Sequence, residues 1–278
     1  MENNNDKNKP ISFISANGFP PECYSELLDQ LKESCQITPF LLRPLWRPKE
    51  PESNCKHWSL FTTDYLNHLN EEYDESNPVI GIGHSIGATV VLDAAIKEPH
   101  RFSKLILIEP ALFTIKMSIA YRFFKMIGLS HHIHPMIKRT KNRHTVFESK
   151  DEMIGRLRKK GSFKKISDQT LKLMVDAMLE KRDDNNYDLR WSKEWEIEIY
   201  DTCCTLDFGI WRNLHKLKIP VLLLIADQSN TFFEPTKKRF LKAKSDTQCE
   251  VIENASHLLP FEYPVTCVEH FNDFITTR

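Results

Sequence analysis

At 278 residues, the chain is long enough for one large α/β domain or for such a domain carrying an inserted subdomain. Hydrophobic residues make up 41% and charged residues 27%, and the formal net charge is zero. That balance suits a soluble globular protein and gives no global field toward nucleic acid or a membrane surface.

Residues 1–10 read as a disordered, Asn-rich polar tail without the apolar core of a secretory signal. No run reaches the ~18 apolar residues of a transmembrane helix, so no stable membrane insertion is expected. Residues 11–16 are rich in β-formers and read as a strand, and Asn17-Gly18-Phe19-Pro20 as the turn after it. Tyr24, Leu27, Leu28 and Leu31 fall at helical spacing, giving a helix to about Glu33. Residues 37–42 form a second apolar run, and residues 60–69 a helix with Leu60, Phe61, Tyr65 and Leu69 on one face.

The next stretch is the most informative. An apolar strand, residues 78–82, runs into Gly83-His84-Ser85-Ile86-Gly87 and then into a helix-like segment beginning at Ala88. Three of only eight glycines (Gly81, Gly83 and Gly87) fall within these few residues. A sharp strand-to-helix turn needs residues without a Cβ beside its apex, and the apex side chain, Ser85, is then presented at a helix N-terminus. This is how a serine nucleophile is exposed. Residues 105–108 follow as a strand apolar at every position, of the type buried on both faces of a parallel sheet, and end at Glu109.

From about 114 to 205 the periodicity is helical, with no convincing strand. Alternation then returns: a strand at 220–225, a helix at 234–244, a short strand at 249–252 and a final helix at 265–275. The pattern predicts an α/β fold with a mostly parallel sheet, its core formed by 11–113 and 206–278, interrupted by an all-helical cap over 114–205.

A serine nucleophile needs a base, an acid to hold that base, and donors for the oxyanion. His257 lies in the loop between the last short strand and the last helix, where such sheets carry functional side chains. Glu109, a carboxylate directly after four buried aliphatics, needs a partner that His257 would supply.

These segments together resemble the α/β-hydrolase superfamily of the capped, esterase-like type over essentially the whole chain after the tail. The matching residues are Asn17-Gly18-Phe19-Pro20, the turn around Ser85, Leu107-Ile108-Glu109-Pro110, the strand at 220–225 and the loop around His257. The resemblance implies a serine hydrolase in which the backbone N–H groups of Phe19 and Ile86 form the oxyanion hole. It needs no cofactor and no metal. Relatives usually carry the acid past the strand after the cap, in a strand-Gly-x-x-Asp pattern. Here Ala226 and Ser229 take those glycine and acid places and Asp227 stands two residues early. Other relatives place the acid where Glu109 stands. Glu109 is therefore taken as the acid and Asp227 as the alternative.

The expected activity is cleavage of a carboxylic ester or related acyl bond of an apolar or acyl small molecule. An acyltransferase or C–C bond hydrolase with the same residues is one alternative, and a non-catalytic binding protein on the same fold is another. Trp191, Trp195, Met117 and Phe124 are candidate pocket walls. His131-His132-Ile133-His134 lacks suitably spaced partners for a metal site. Between Lys138 and Lys165 there are eleven Lys/Arg against three Asp/Glu. That stretch reads either as a solvated helical face or as an attractor of an anionic substrate or membrane surface. The seven cysteines follow no framework and no C-x-x-C spacing, which reads as reduced thiols in a cytoplasmic protein.

Overall fold

The computed structural model describes residues 10–32, 36–46 and 56–276. Residues 1–9 of the tail, Glu33 at the expected helix end, Cys35 and Cys55 lie outside the described residues.

The chain begins with β1 (Ile11–Ile14), α1 (Ser25–Lys32), β2 (Ile37–Phe40), α2 (Ser59–Glu72), β3 (Val79–His84), α3 (Ile86–Lys97) and β4 (Phe102–Ile108). The segment that follows holds α4 (Ile115–Met126), α5 (Ser130–Ile133), α6 (Pro135–Lys141), β5 (Val146–Phe147), α7 (Lys150–Arg158), α8 (Asp168–Met178), β6 (Leu179–Lys181), β7 (Tyr187–Leu189) and α9 (Lys193–Asp201). The alternation resumes with α10 (Asp207–Asn213), β8 (Val221–Ala226), α11 (Glu234–Ala243), β9 (Gln248–Ile252), α12 (Leu259–Glu262) and α13 (Pro264–Thr276).

Among the described residues, six strands form one sheet in the order β2-β1-β3-β4-β8-β9, and every pairing in it is parallel. All the strands therefore release their carboxyl ends on one edge, and loops from that edge can meet. Alternation within the strands sends side chains to two layers. Leu105 and Leu107 of β4 join Val221, Leu223 and Ile225 of β8 in one core, with α2, α3 and α10. Ile106 and Ile108 join Leu222 and Leu224 in the other, with α1 and α13. These aliphatics are essentially fully buried, and each contributes about 1.5–3 kcal/mol by leaving water.

The inserted segment differs from the expectation in one respect: it is not all-helical. β5, β7 and β6 form a three-stranded antiparallel sheet. Each strand has only two or three residues, too short for a period-of-two pattern to stand out against the helices around it.

Candidate active site

The turn after β3 shows why its glycines are there. A Cβ on Gly83 would lie 2.5 Å from the backbone of Gly87 and Ala88, and one on Gly87 would run into the Ile14 carbonyl of β1. Glycine at both positions lets strand and helix approach closely enough to form the bend. Ser85 occupies its apex at φ 57°, ψ −120°, a strained conformation for a side-chain-bearing residue. Backbone bonds anchor it: its N–H donates to Ile108 O at 2.9 Å, and its carbonyl accepts from Ala111 N–H at 3.1 Å.

Three side chains from three strand ends meet here. Ser85 Oγ lies 3.0 Å from His257 Nε2. His257 Nδ1 lies 3.1 Å from Glu109 Oε2. Glu109, just past β4, is fully buried and also at positive φ, 46°. Its Oε1 accepts from Ala226 N–H at 2.8 Å and its Oε2 from the Ser229 hydroxyl at 2.5 Å. The proton positions follow from the partners. Ser229 Oγ already accepts from the N–H groups of Thr231 and Phe232, so its own proton points to Glu109. A carboxylate surrounded by donors accepts only, so His257 Nδ1 carries a proton and Nε2 is free to accept from Ser85.

Asp227 does not join this chain. It is exposed, and its Oδ1 accepts from Ala255 N–H at 3.1 Å. Its backbone N–H bonds Ile252 O, also at 3.1 Å. It fastens the turn after β8 to the loop that carries His257. Ile86 heads α3, so its N–H has no partner within that helix. The Phe19 N–H closes a turn onto Ala16 O at 3.2 Å, a bond that an incoming oxyanion would have to share or displace.

Two residues that pattern reading passed over complete the arrangement. His84, immediately before Ser85, is fully buried. Its Nε2 lies 2.9 Å from the His257 carbonyl, which only accepts, so Nε2 carries the proton. Its Nδ1 then accepts from Tyr24 OH at 2.7 Å, and Tyr24 in turn accepts from Ala16 N–H at 3.1 Å. Burial holds the His84 imidazole well below its ordinary pKa, and the neighbouring His257 adds to the effect. The neutral ring ties the Ala16–Phe19 loop to the His257 loop. Adjacency to Ser85 was the only sequence signal for it.

Ser85, His257, Phe19 and Ile86 all line one cavity of about 1370 Å³. Trp191, Trp195, Met117 and Phe124 are not among the described residues on its wall. Trp191 and Trp195 are 2% exposed and packed in the core beside α3, Trp195 from the buried face of α9 and Trp191 from the chain just before that helix. The helix bearing Met117 and Phe124 instead exposes Ile119, Phe123 and Met126. The wall comes chiefly from the segment between α5 and β7, including Phe147, Met153, Leu157, Phe163, Met178 and Leu189. No cluster of three or more metal-ligating side chains occurs among the described residues, and no helix among them is long and apolar enough to cross a membrane.

A parallel sheet with a strained serine at the end of β3, a carboxylate at the end of the adjacent β4 and a histidine in the loop after β9 defines the α/β-hydrolase class. Residues 51–264 match the family model Hydrolase_4, described as serine aminopeptidase, S33, and the chain belongs to that family. Its fold is that of the α/β-hydrolases. Among curated proteins it is similar to the type I acyl-CoA thioesterase mpaH' of Penicillium brevicompactum, 29% identical over 118 residues. That match covers 37% of this chain and only 27% of the relative. Among solved structures, E-2-(acetamidomethylene)succinate hydrolase superposes with a TM-score of 0.77 at 14% identity, over 97% of this chain and 92% of that one. A thioesterase domain from the curacin biosynthetic pathway gives 0.72 at 15%, over 95% and 91%. At these identities the two structures share the fold.

Proposed function

We propose that the protein is a serine hydrolase that cleaves a carboxylic ester or related acyl bond, thioesters included, through an acyl-enzyme. The hydrogen-bonded line Ser85–His257–Glu109, open to a large and partly apolar cavity, carries this reading. Ser85 Oγ attacks the acyl carbon and its proton passes to His257 Nε2. Glu109 stabilises the imidazolium and keeps its tautomer. The Ile86 N–H, at the positive end of α3, and the Phe19 N–H receive the oxyanion. The bond to the leaving group breaks, and the leaving group takes the proton from His257. Water activated by the same histidine then cleaves the acyl–Ser85 ester.

In this reading residues 114–205 act as a cap that shapes the acyl pocket. The five described cysteines, Cys23, Cys203, Cys204, Cys249 and Cys267, are free thiols, which supports a cytoplasmic setting. The thioesterase relative supports an acyl substrate. The test is a panel of p-nitrophenyl esters of increasing chain length. Ser85→Ala should lower kcat by at least ~10³-fold with the fold intact. Activity within tenfold of the parent would refute the reading.

A further inference from the structure

Resting on the reading of Ser85 as nucleophile, we propose that Lys138, Arg139, Lys159 and Lys160 form a phosphate-binding subsite for the leaving group of an acyl substrate of the coenzyme A thioester type. All four line the cavity that holds Ser85 and His257. They come from two elements: Lys138 and Arg139 from α6, and Lys159 and Lys160 from the chain just after α7.

The other cations on this wall are already neutralised. Arg143 pairs with Glu196, and Arg156 pairs with Glu152 at 2.8 Å. Lys138, Arg139, Lys159 and Lys160 have no carboxylate partner within ion-pair distance among the described residues. Asp151, also on the wall, offsets one charge, so six cations face three acids. Lys138, Arg139 and Lys159 are exposed and stand at the cavity's edge, whereas Lys160 is half-buried. Burial first, and then Arg143 and Arg139, hold Lys160 below its ordinary pKa. An anion placed there would relieve that repulsion.

The charge count selects the ligand chemistry. A single carboxylate would cancel only one of the excess charges. A phosphomonoester carries about −1.5 to −2, and together with a diphosphate it would cancel all of the excess. Lysine and arginine both serve as phosphate donors. The apolar wall around Met153, Leu157, Phe163 and Met178 offers the acyl chain a place in the same cavity. In the reaction the C–S bond of the thioester breaks, the acyl group stays on Ser85, and the thiol departs with the proton from His257.

The experiment is calorimetric titration of coenzyme A, of phosphate-free pantetheine and of lysophosphatidate into the Ser85→Ala protein, in low and in physiological salt. Coenzyme A should bind at least tenfold more tightly than pantetheine, and its binding should weaken with salt. Lys138→Ala/Arg139→Ala and Lys159→Ala/Lys160→Ala should each weaken coenzyme A at least tenfold more than they weaken pantetheine. Equal binding of coenzyme A and pantetheine, or equal losses for both, would overturn the subsite. Tighter binding of lysophosphatidate would move the cluster to a lipid headgroup and overturn the coenzyme A assignment. These titrations involve no chemistry. The separate esterase assay of Ser85→Ala tests the nucleophile, so the two failures cannot be confused.

Discussion

The Ser229 hydroxyl donates to Glu109 Oε2 at 2.5 Å, from the position where the family resemblance would place an acid. The carboxylate that faces His257 comes from the end of β4, and the turn after β8 supplies a donor that holds it. Ala226 N–H, at the end of β8, holds the other oxygen.

This arrangement predicts a clear ranking of the two carboxylates. Glu109→Gln keeps the shape but removes the charge that supports the imidazolium, and kcat should fall on the order of 10³-fold or more. Asp227→Asn should cost tenfold or less in kcat, because Asp227 acts on the loop backbone through Ala255. Steady-state kinetics of both variants on one ester decide the point. A larger loss in Asp227→Asn would reassign the acid.

The same geometry predicts a rescue. In a Glu109→Gln background, Ser229→Asp puts a carboxylate back at the usual position, next to the group that faces His257. It should restore kcat at least tenfold over the single variant. Without rescue, Ser229 would not lie where the hydrogen bonds put it. In the parent background, Ser229→Ala removes a donor from a buried carboxylate and should destabilise the fold by about 1–3 kcal/mol, read from denaturant midpoints.

The Ala16–Tyr24–His84–His257 chain makes a different prediction. Tyr24→Phe leaves the Ala16 N–H and His84 Nδ1 without their shared partner. Stability should fall by about 1–3 kcal/mol. Because His84 stays neutral in the fold while an unfolded histidine takes up a proton below about 6.5, it draws stability down as pH falls through that value. His84→Asn should therefore flatten the drop in Tm between pH 7.5 and pH 5.5. An unchanged slope would show that His84 does not carry it.

Asp207 titrates in the opposite sense. Its carboxyl is pushed up to about 7, chiefly by burial, and accepts from the Ser118 hydroxyl at 2.5 Å. Between pH 4 and pH 7 the folded protein holds a proton there that the unfolded chain has released, so stability falls as pH rises through that window. Asp207→Asn keeps an acceptor for Ser118 and removes the titration. Its stability relative to the parent should grow from pH 4 to pH 7, by about 2–4 kcal/mol, and then level off. A constant difference across that range would contradict the raised value.

The central sheet was legible because its signals are local. Unbroken aliphatic runs mark β4 and β8, and steric need marks Gly83 and Gly87. Ser85 and His257 were legible from their places in the strand order, and Glu109 from the cost of ending a buried strand on a carboxylate. The cavity wall was not. Trp191 and Trp195 carry the composition of a pocket, yet both are buried in the core, Trp195 by the rotation of α9 and Trp191 by the path of the chain before it, and tertiary packing sets both. The basic stretch from Lys138 to Lys165 left two readings open, because only folding shows which of its charges share a wall with Ser85. His84 and Tyr24 lie 60 residues apart, and no spacing rule joins them.

The most direct test of the account is where a fluorophosphonate attaches. Peptide mapping by mass spectrometry after labelling should find one phosphonylated residue, Ser85. The adduct should be absent in Ser85→Ala and should form at least ~10²-fold more slowly in His257→Ala. An adduct on another residue, or an unlabelled protein that still hydrolyses esters, would contradict the assignment of Ser85 as the nucleophile.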